Sequence, residues 1–448
     1  MKKQKVFLCY LLVVFSITGF FFKTDVQSME IDWRQFEGIT LNILGHQRPW
    51  SEGLQRLLPE FEKLTGIRIE QDLFAENTAL QRIAVELATH SSAYDLVFSH
   101  VDRIPQYAEA EWIEPLDQYI ENKNLTDDEY LDLSDFIQST TDAFRYKEKL
   151  YGLPYFAGTV IMYYRNDVFQ NYGIQKPPDT FDELLEVCKK IHTKELPAIA
   201  LRGQPAIVGN LWHWRLFLYG MGGNFFKNYP EDLTPILDQP EAIKALEIYC
   251  ELMQKYSIPG AASATYDDVV IAMQQGKVAI ALEGGPLGGR ILDPTQSKVV
   301  GKLGFYLVPG GPAGRFPPFS AHGYSIPSGS KNKEAAWLFL QWATSKDTML
   351  KIALVENEIA ISRNSAWTNE EFIKKYDYDF GAGSFLEAFY KSLQIAPFWY
   401  SPVFEQWPEV GDKVALAVSE AVVGTKSPQQ ALSDANKEIM DILKRTGI

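Results

Sequence analysis

The stretch YDLVFSHVDR, residues 94–103, decides the fold because it runs from a short apolar strand straight into polar side chains. The strand is Leu96–Phe98, and the polar residues that follow it are Ser99, His100, Asp102 and Arg103. Polar groups at a strand end are costly to bury unless they find partners. The stretch therefore predicts either a ligand site or a set of side chains that pair with one another.

The residues before this stretch alternate between strand and helix patterns. A strand is predicted over residues 39–44, followed by a helix that Ser51 caps and Gly66 ends. A second strand over residues 67–73 and a helix capped by Asn77 lead to the third strand. This β-α-β-α-β order predicts a mostly parallel sheet, which binds its ligand at the carboxyl ends of its strands.

A second α/β unit follows in the middle of the chain. It begins with the strand TVIMYYR, residues 159–165, and Thr180 and Glu183 then form the pattern of a helix capping box. Further strands are predicted over residues 197–201 and 277–285, with three helices between them and a mainly helical last third. The chain thus holds two α/β units in series.

Composition limits the function more than it limits the fold. With 448 residues, the chain is long enough for two domains. The formal net charge of −14 argues against nucleic acid and anionic membranes as partners. Aromatic residues make up 13% of the chain, which fits either a large core or a surface that grips flat, weakly polar ligands.

The N-terminus has the pattern of a secretory signal peptide over residues 1–28. Three lysines precede an apolar run over residues 6–22, and Val26 and Ser28 give a small-x-small cleavage pattern. The alternative is a retained N-terminal anchor, since the run is close to the shortest that spans a bilayer. No small-residue lipobox precedes Cys9, so a lipoprotein is not predicted. The expected location is periplasmic or extracellular.

Cysteine and histidine give no metal signature. Cys188 and Cys250 lie in separate helical patterns and are predicted to be free, buried thiols, with a disulfide as the alternative. The six histidines are scattered without ligand spacing, so no metal site is predicted. No cofactor is predicted either.

Five segments, taken in order, carry a family resemblance. They are LPEFEKLTGIRIE (58–70), YDLVFSHVDRIPQYAEAEWIEPLDQYI (94–120), KEKLYGLPYFAGTVIMYYRNDVFQNYGIQKPPDTFDEL (147–184), QGKVAIALEGGP (275–286) and SGSKNKEAAWLFLQWATS (328–345). Together they resemble family 1 of the extracellular solute-binding proteins, the sugar-binding proteins of ABC importers that include the maltose-binding proteins. The resemblance runs from about residue 38 to the C-terminus.

The resemblance implies a two-lobed α/β fold, the type II periplasmic-binding-protein fold, in which strands cross between two sheets flanked by helices. Lobe 1 is expected over residues 38–157 and 320–370, and lobe 2 over residues 158–319 and 371–448. The implied function is the substrate-binding component of an ABC importer. It would capture a sugar or polyol in the interlobe cleft and deliver it to the permease transmembrane subunits. A monomer is expected.

The resemblance also implies site residues. Asp102 and Arg103 match positions that bind sugar hydroxyls in the family, although the two side chains have the alternative of pairing with each other. Ser99 and His100 precede them on the same loop. Trp399 lies in the segment FWYSP, which resembles an aromatic segment that closes over the sugar in relatives.

Further candidates lie near the predicted strand ends and crossings: Trp50, Tyr155, Trp212, Glu283, Gly284 and Gly285. The Trp50 indole is suited to stacking on a sugar ring. Alternatively, it packs against the helix that follows and fixes the start of that helix. Glu283 ends a strand and offers acceptors for hydroxyls. The glycines after it lack the lysine of a phosphate loop and instead suit close approach of the backbone to a ligand.

Two departures from the maltodextrin-binding pattern favour a smaller ligand. Leu287 stands where those relatives carry a stacking tryptophan, and Gly158 stands where they carry an acid. A sugar or polyol is therefore predicted, with glycerol phosphate, an amino acid or a peptide as alternatives. A secreted glycosidase is the remaining alternative. The chain shows no nucleophile elbow and no His-Glu-x-x-His pattern, so no enzyme activity is predicted.

Overall fold

The computed structural model describes residues 31–447, and the predicted signal peptide, with Cys9, lies outside that range. The strands are β1 Thr40–His46, β2 Arg68–Phe74, β3 Leu96–His100, β4 Arg145–Tyr146, β5 Lys149–Leu150, β6 Leu153–Arg165, β7 Ile199–Ala200, β8 Phe226–Asn228, β9 Asp232–Pro235, β10 Ile280–Gly284, β11 Leu303–Tyr306 and β12 Phe319–Ser325.

The helices are α1 Pro49–Thr65, α2 Glu76–Ala88, α3 Ile104–Glu109, α4 Asp117–Glu121, α5 Asp128–Leu131, α6 Gln138–Ala143, α7 Asn166–Asn171, α8 Phe181–Ile191, α9 Asn210–Gly220, α10 Pro240–Glu251, α11 Tyr266–Gln274, α12 Gly288–Ile291, α13 Lys333–Ala343, α14 Lys346–Glu356, α15 Asn364–Trp367, α16 Glu370–Tyr376, α17 Phe385–Ile395, α18 Trp407–Val422 and α19 Pro428–Thr446.

One continuous path of strands, β2-β1-β3-β12-β6-β10-β7, connects two lobes, and β11 also pairs with β6. Lobe 1 is built on β2, β1 and β3, in which β1 is parallel to both neighbours. Lobe 2 is built on β10, β7 and β11, in which β10 is parallel to β7. The antiparallel pairs of this sheet join the lobes and flank the crossing: β12 with β3 and β6, and β6 with β10 and β11. Two small hairpins, β4–β5 and β8–β9, are also antiparallel. The predicted two-lobed α/β fold is confirmed, whereas the residue boundaries of the lobes stay a prediction.

The strand β6 is the main crossing between the lobes. Its first half pairs with β12, from Leu153 to Thr159, and its second half pairs with β10 and β11, from Val160 to Arg165. The residue pattern predicted a strand over residues 159–165, and the family resemblance placed a crossing between the lobes near residues 155–158. β12 supplies partners for the first half, so tertiary pairing outweighs the local preference.

Helix ends follow local chemistry with small shifts. Helix α1 begins at Pro49 rather than after Ser51, because Arg48 acts as its N-cap and donates its backbone N–H to the Ser51 hydroxyl at 3.0 Å. Gly66 ends the helix with a φ of 74°, as predicted. Helix α2 begins at Glu76, so Asn77 lies inside the first turn instead of capping it.

The second capping prediction is confirmed in part. Thr180 is the N-cap of α8, and its hydroxyl accepts the backbone N–H of Glu183 at 3.2 Å. The Glu183 carboxylate accepts from the backbone N–H of Asp179 at 2.6 Å instead of closing the box on Thr180. The cap still fixes the start of the helix.

The apolar core extends through both lobes. Cys188 and Cys250 lie in it as free thiols, and burial raises the pKa of Cys250 to about 12. The C-terminal part is helical, and α18 packs on α9, α10 and α19 of lobe 2. Within residues 31–447, no helix combines the length and the apolar character needed to cross a bilayer.

Candidate functional site

The strand ends of lobe 1 converge at the cleft between the lobes. His46 ends β1 and His100 ends β3, while β12 places His322 directly opposite His100. The His322 ring centroid lies 4.9 Å from that of His100 and 5.5 Å from that of His46. Together with Arg48 and Asp102, these three histidines form a group that we call the polar cluster. Its position at strand carboxyl ends is where an open α/β sheet presents a site.

Arg48 is held in place by partners from distant parts of the chain. Its Nη1 donates to Nδ1 of His322 at 2.6 Å, and its Nη2 donates to Oε2 of Glu358 at 2.8 Å. The guanidinium also lies 4.0 Å above the ring centroid of Phe156. Because each of these contacts uses a planar guanidinium, the geometry is specific to arginine.

The open side of the polar cluster is formed by His100 and Asp102. Nε2 of His100 lies 3.2 Å from the Ser320 hydroxyl, and its Nδ1 lies 3.4 Å from Oδ2 of Asp102. The Asp102 side chain is 40% exposed, whereas His100 is 19% exposed. The Asp102 carboxylate is thus the most accessible hydrogen-bond acceptor of the cluster.

Burial keeps two of the histidines neutral. The pKa of His46 is lowered to about 3, mainly by desolvation and secondly by the positive charge of Arg48. Desolvation also lowers the pKa of His322 well below its usual range, with help from His100, Arg48 and His46. Burial acts to lower the pKa of Arg48 as well, but the Glu358 carboxylate outweighs it and the pKa is raised. A neutral imidazole offers one donor and one acceptor, which is the pattern of a hydroxyl.

Stability is expected to fall as the pH decreases from about 6.5 towards about 3, because the unfolded chain protonates His46 and His322 while the folded state resists it. His46 alone accounts for about 1.4 kcal/mol per pH unit inside this window, and His322 acts in the same direction. Urea unfolding at pH 7.5, 5.5 and 4.5 measures the slope. A His46→Gln variant is expected to have a shallower slope. An identical slope in H46Q would show that His46 is not held neutral.

A metal ion fits this location poorly. Glu76, His100 and His322 offer ligand atoms that all lie within 4.8 Å of one another. The Arg48 guanidinium, however, contacts Nδ1 of His322 at 2.6 Å and places a fixed positive charge beside the group. Because Nδ1 of His322 accepts the guanidinium hydrogen, that nitrogen has no lone pair left for a metal ion. The cluster is better suited to uncharged hydroxyl groups.

A cavity of about 770 Å³ extends from Asp102 across the cleft and is lined by both lobes. Lobe 1 contributes α3 and the segment around Tyr146, and lobe 2 contributes the loop around Tyr229 and the segment 398–405. Six aromatic side chains line it: Trp112, Tyr146, Tyr229, Phe398, Trp399 and Phe404. The volume is that of a ligand site for a molecule of substantial size.

Two of the sequence-predicted site residues line the cavity, and a third lies next to one of them. Asp102 and Trp399 line the cavity from opposite lobes, and His100 lies behind Asp102 in the polar cluster. The Trp399 indole packs edge-on against Tyr219 with ring centroids 5.3 Å apart and remains 45% exposed. Their contact with a ligand stays a prediction.

Other candidates lie in the core of lobe 1. Trp50 and Tyr155 are buried and stack on each other with ring centroids 4.5 Å apart and an angle of 6°. Ser99 is buried and donates its hydroxyl hydrogen to the Ser325 hydroxyl at 2.9 Å. In this conformation the three side chains support the cleft from behind and present no open surface to it.

Glu283 and Gly285 are buried at a turn in lobe 2, and Gly284 between them is half-buried. Arg202 pairs with Glu283, with 3.0 Å between Nε and Oε2, and the backbone N–H of Gly284 donates to Oε1 at 2.7 Å. Burial would raise the pKa of Glu283, but Arg202 outweighs it and holds the pKa lowered. A Cβ added to Gly285 would lie 2.5 Å from the Phe389 ring, so this glycine serves packing.

Arg103 and Trp212 are half-buried and lie outside the lining of the cavity. Within residues 31–447 no ion-pair partner of Arg103 is found, and Asp102 lies against His100 instead of pairing with Arg103. The Trp212 ring lies 5.5 Å from that of Tyr400. For both residues, contact with a ligand stays a prediction.

Arg48 and His322 are functional candidates that the sequence did not single out. Arg48 lies two residues after the end of β1, and His322 lies within β12. The same rule that selected His100, a polar side chain at a strand end of the sheet, would have selected Arg48. Its partner Glu358 lies 310 residues away, so no local pattern could have revealed the pair.

The family model of the bacterial extracellular solute-binding proteins matches residues 47–350, more than half of the chain. The chain belongs to this family. The predicted resemblance is therefore confirmed, and the relatives described next are named as binding proteins.

Two curated relatives illustrate the similarity of this solute-binding protein to others. An erythritol/L-threitol-binding protein of Mycolicibacterium smegmatis is 26% identical over 339 residues, covering 71% of this chain and 69% of the relative. A mannitol-binding protein of Pseudomonas aeruginosa is 26% identical over 415 residues, covering 88% and 91%. Similarity at this level over most of the chain extends across both lobes.

A solved structure shares the fold of this solute-binding protein. A solute-binding protein of Agrobacterium radiobacter in complex with ribitol superposes with a TM-score of 0.76 at 25% identity, covering 91% of this chain and 99% of that one.

Proposed function

We propose that this solute-binding protein captures an uncharged sugar alcohol or sugar in the cleft and delivers it to the transmembrane subunits of an ABC permease. The observation that carries the proposal is the cavity between the lobes, which is lined by Asp102 of the polar cluster from lobe 1 and by Trp399 from lobe 2. Such an arrangement lets a ligand contact both lobes at once.

The chemistry of the polar cluster suits hydroxyl groups. Each hydroxyl both donates and accepts a hydrogen bond. The cluster offers a carboxylate acceptor at Asp102 and, because Nδ1 of the neutral His322 ring accepts from Arg48, an Nε2–H donor at His322. The positive charge of Arg48 is already paired with Glu358. The remaining acids nearby, Asp102 and Glu76, disfavour an anionic solute such as a phosphate ester.

The relatives support a sugar alcohol in particular. The names of the two curated relatives include erythritol, L-threitol and mannitol, and the superposed structure contains ribitol. All of these are short chains in which every carbon carries a hydroxyl. The absence of a tryptophan at Leu287 agrees with this preference over maltodextrins.

Binding would proceed by closure of the lobes and includes no chemical step. A ligand that contacts both lobes stabilises the closed state and shifts the open–closed equilibrium by its differential affinity. β6 and β12 pair with each other where the chain crosses between the lobes, so they are the natural hinge. The permease would then recognise the closed form of a monomeric receptor, exported by the signal peptide to the periplasm or the cell exterior.

A thermal-shift series tests the proposal. Mannitol, sorbitol, ribitol, erythritol and glucose are compared with glycerol 3-phosphate and free amino acids. A ligand at 100 times its dissociation constant adds about 2.7 kcal/mol of stability, which corresponds to a rise in Tm of roughly 5–10 °C for domains of this size. The expected result is a rise with at least one neutral polyhydroxylated compound and none with the charged solutes. A rise with the charged solutes alone would contradict it.

The same assay with two variants locates the site. Asp102→Ala is expected to reduce the ligand affinity at least tenfold, because it removes charged hydrogen bonds. Asp128→Ala changes an exposed acid outside the cavity and serves as the matched control. Equal affinity of the Asp102 variant and the control would remove Asp102 from the site.

A further inference from the structure

Arg215 is a buried cation of lobe 2 without a counter-charge. It lies in the middle of α9 and is fully buried. Within residues 31–447 its hydrogen-bond partners are all neutral oxygens, and no ion pair is found for it. Other arginines whose side chains are at most 14% exposed each have a carboxylate partner, namely Arg48, Arg165, Arg202 and Arg363. A buried charge is costly unless it is paired or hydrogen-bonded, so the role of Arg215 depends on its neutral partners.

Two of the partners of Arg215 lie in the segment that forms the lobe 2 wall of the cavity. Its Nη1 donates to the Tyr400 carbonyl at 3.2 Å and also to the Ser401 hydroxyl. Its Nε donates to the Leu211 carbonyl of its own helix at 3.2 Å. The guanidinium also lies 4.5 Å from the centroid of the Tyr400 ring. Arg215 thus joins α9 to two consecutive residues of the wall.

Two further residues of α9 hold the same segment. Tyr219 donates its hydroxyl hydrogen to the Tyr400 carbonyl at 3.0 Å, and the Tyr400 hydroxyl donates to the Trp212 carbonyl at 2.7 Å. The Tyr400 side chain is buried. Tyr400 is therefore fixed to α9 at both its carbonyl and its hydroxyl, and the position of Ser401, the next residue, is fixed with it.

The Ser401 hydroxyl keeps its own hydrogen for a further hydrogen bond. A guanidinium has donors only, so the hydroxyl must act as the acceptor towards Arg215. Within residues 31–447 no protein acceptor takes the Ser401 hydroxyl hydrogen, and Ser401 lines the cavity. A hydroxyl that accepts from a cation is polarised, which makes it a stronger donor. Arg215 therefore turns Ser401 into a fixed donor that is available to a molecule in the cavity.

The lobe 1 wall of the cavity offers the complementary group. Asp102 lines the same cavity, and its carboxylate only accepts hydrogen bonds. A ligand hydroxyl both donates and accepts, so a polyhydroxylated ligand can donate to Asp102 and accept from Ser401.

We infer that Ser401 donates a hydrogen bond to an oxygen of the ligand, and that Arg215 is the positioning residue that fixes and polarises this donor. Arg215 itself does not touch the ligand. The inference rests on the proposed function and goes beyond it by assigning two residues of lobe 2, one to direct contact with the ligand and one to the support of that contact.

Titration calorimetry tests the inference with the tightest binder among mannitol, sorbitol, ribitol, erythritol and glucose. Ser401→Ala is expected to reduce its affinity about tenfold or more, because it removes a charge-assisted donor. Ser365→Ala removes a hydroxyl that donates to Asp135 at 2.7 Å outside the cavity, and it should leave the affinity within about twofold. If the wild-type protein binds and S401A binds equally well, the inference is overturned while the proposed function stands. If the wild-type protein binds none of the five compounds, both fail.

A double-mutant cycle separates positioning by Arg215 from a purely structural role. Arg215→Met is expected to reduce the affinity about tenfold or more when Ser401 is present, but less than about threefold in the S401A background, since Arg215 acts through Ser401. Equal factors in the two backgrounds would overturn the positioning role. Arg215→Lys keeps a positive charge that can donate to the Ser401 hydroxyl, so it should recover part of the affinity that R215M loses.

Arg363→Met provides the matched control for the loss of a buried arginine. Arg363 is also fully buried and donates to backbone carbonyls, at Thr344 and Leu131, but it lies in lobe 1 outside the cavity. R363M is therefore expected to lower Tm without changing the affinity of the folded protein. If R215M does not fold, R215K takes its place in the cycle, and S401A alone decides the assignment of the donor.

Discussion

Replacing Arg48 with alanine is expected to lower the free energy of unfolding by about 3–5 kcal/mol, the usual cost of removing one partner of a buried ion pair. The substitution leaves the Glu358 carboxylate, which is 6% exposed, without its guanidinium partner. It also removes the donor that satisfies Nδ1 of His322. Urea unfolding at pH 7.5 measures the loss, and ligand affinity should fall with it because His322 is no longer held in place.

A double variant distinguishes an unpaired charge from lost packing. Arg48→Met with Glu358→Gln removes both charges and keeps most of the volume, so it is expected to recover a large part of the stability lost in R48A. Lys351→Ala, which breaks an exposed pair with Glu60, provides the surface comparison and should cost less than about 1 kcal/mol. A double variant no more stable than R48A would mean that the loss comes from packing against Phe156.

Replacing Arg202 with alanine is expected to have a comparable effect in lobe 2, again about 3–5 kcal/mol. Glu283 is fully buried, and Arg202 is its ion-pair partner. The deficit relative to wild type should be greatest above the ordinary carboxyl pKa of about 4.5 and should shrink below it. On acidification the wild-type protein loses the part of its free energy of unfolding that comes from the lowered Glu283 pKa. The destabilisation of the variant decreases instead, because protonation removes the charge of its unpaired carboxylate.

Unfolding of R202A and wild type at pH 7.5 and pH 4 measures this difference. Adding Glu283→Gln to R202A removes the buried charge, so the double variant should be more stable than R202A at pH 7.5 and should differ from it less at pH 4. A deficit that stays constant with pH would show that Arg202 contributes through packing instead of through its charge.

The elements of regular structure were predictable where local chemistry decides them. Gly66 ended α1 and Thr180 capped α8 because a left-handed glycine and a capping hydroxyl act over a few residues. The residue pattern missed the first half of β6 because it depends on β12, about 165 residues later in the chain. Local pattern contains no signal for such a pairing.

The candidate site, like the regular structure, was predictable only where residues close together in the sequence decide it. The strand-end rule placed His100 and Asp102 in the cleft, because the carboxyl ends of parallel strands meet. Trp50 satisfied the same rule but points into the core, and its spacing of four residues from Leu54 and then Leu58 marks the buried face of α1. The Arg202–Glu283 pair follows from the register of β7 and β10, which pairs Ile199 with Ile280 and so aligns the residues three positions later.

The crossing of the chain between the lobes has a consequence for how this protein is made. The sheet of lobe 1 is complete only when β12, at residues 319–325, adds to β3, at residues 96–100, so about 220 residues must be synthesised in between. Pairings between such distant segments form slowly, because closing a long loop costs conformational entropy before any stabilising contact has formed. Until then the edge of β3 remains open. Slow completion of this kind means that lobe 1 reaches its native sheet only after most of the chain has been synthesised.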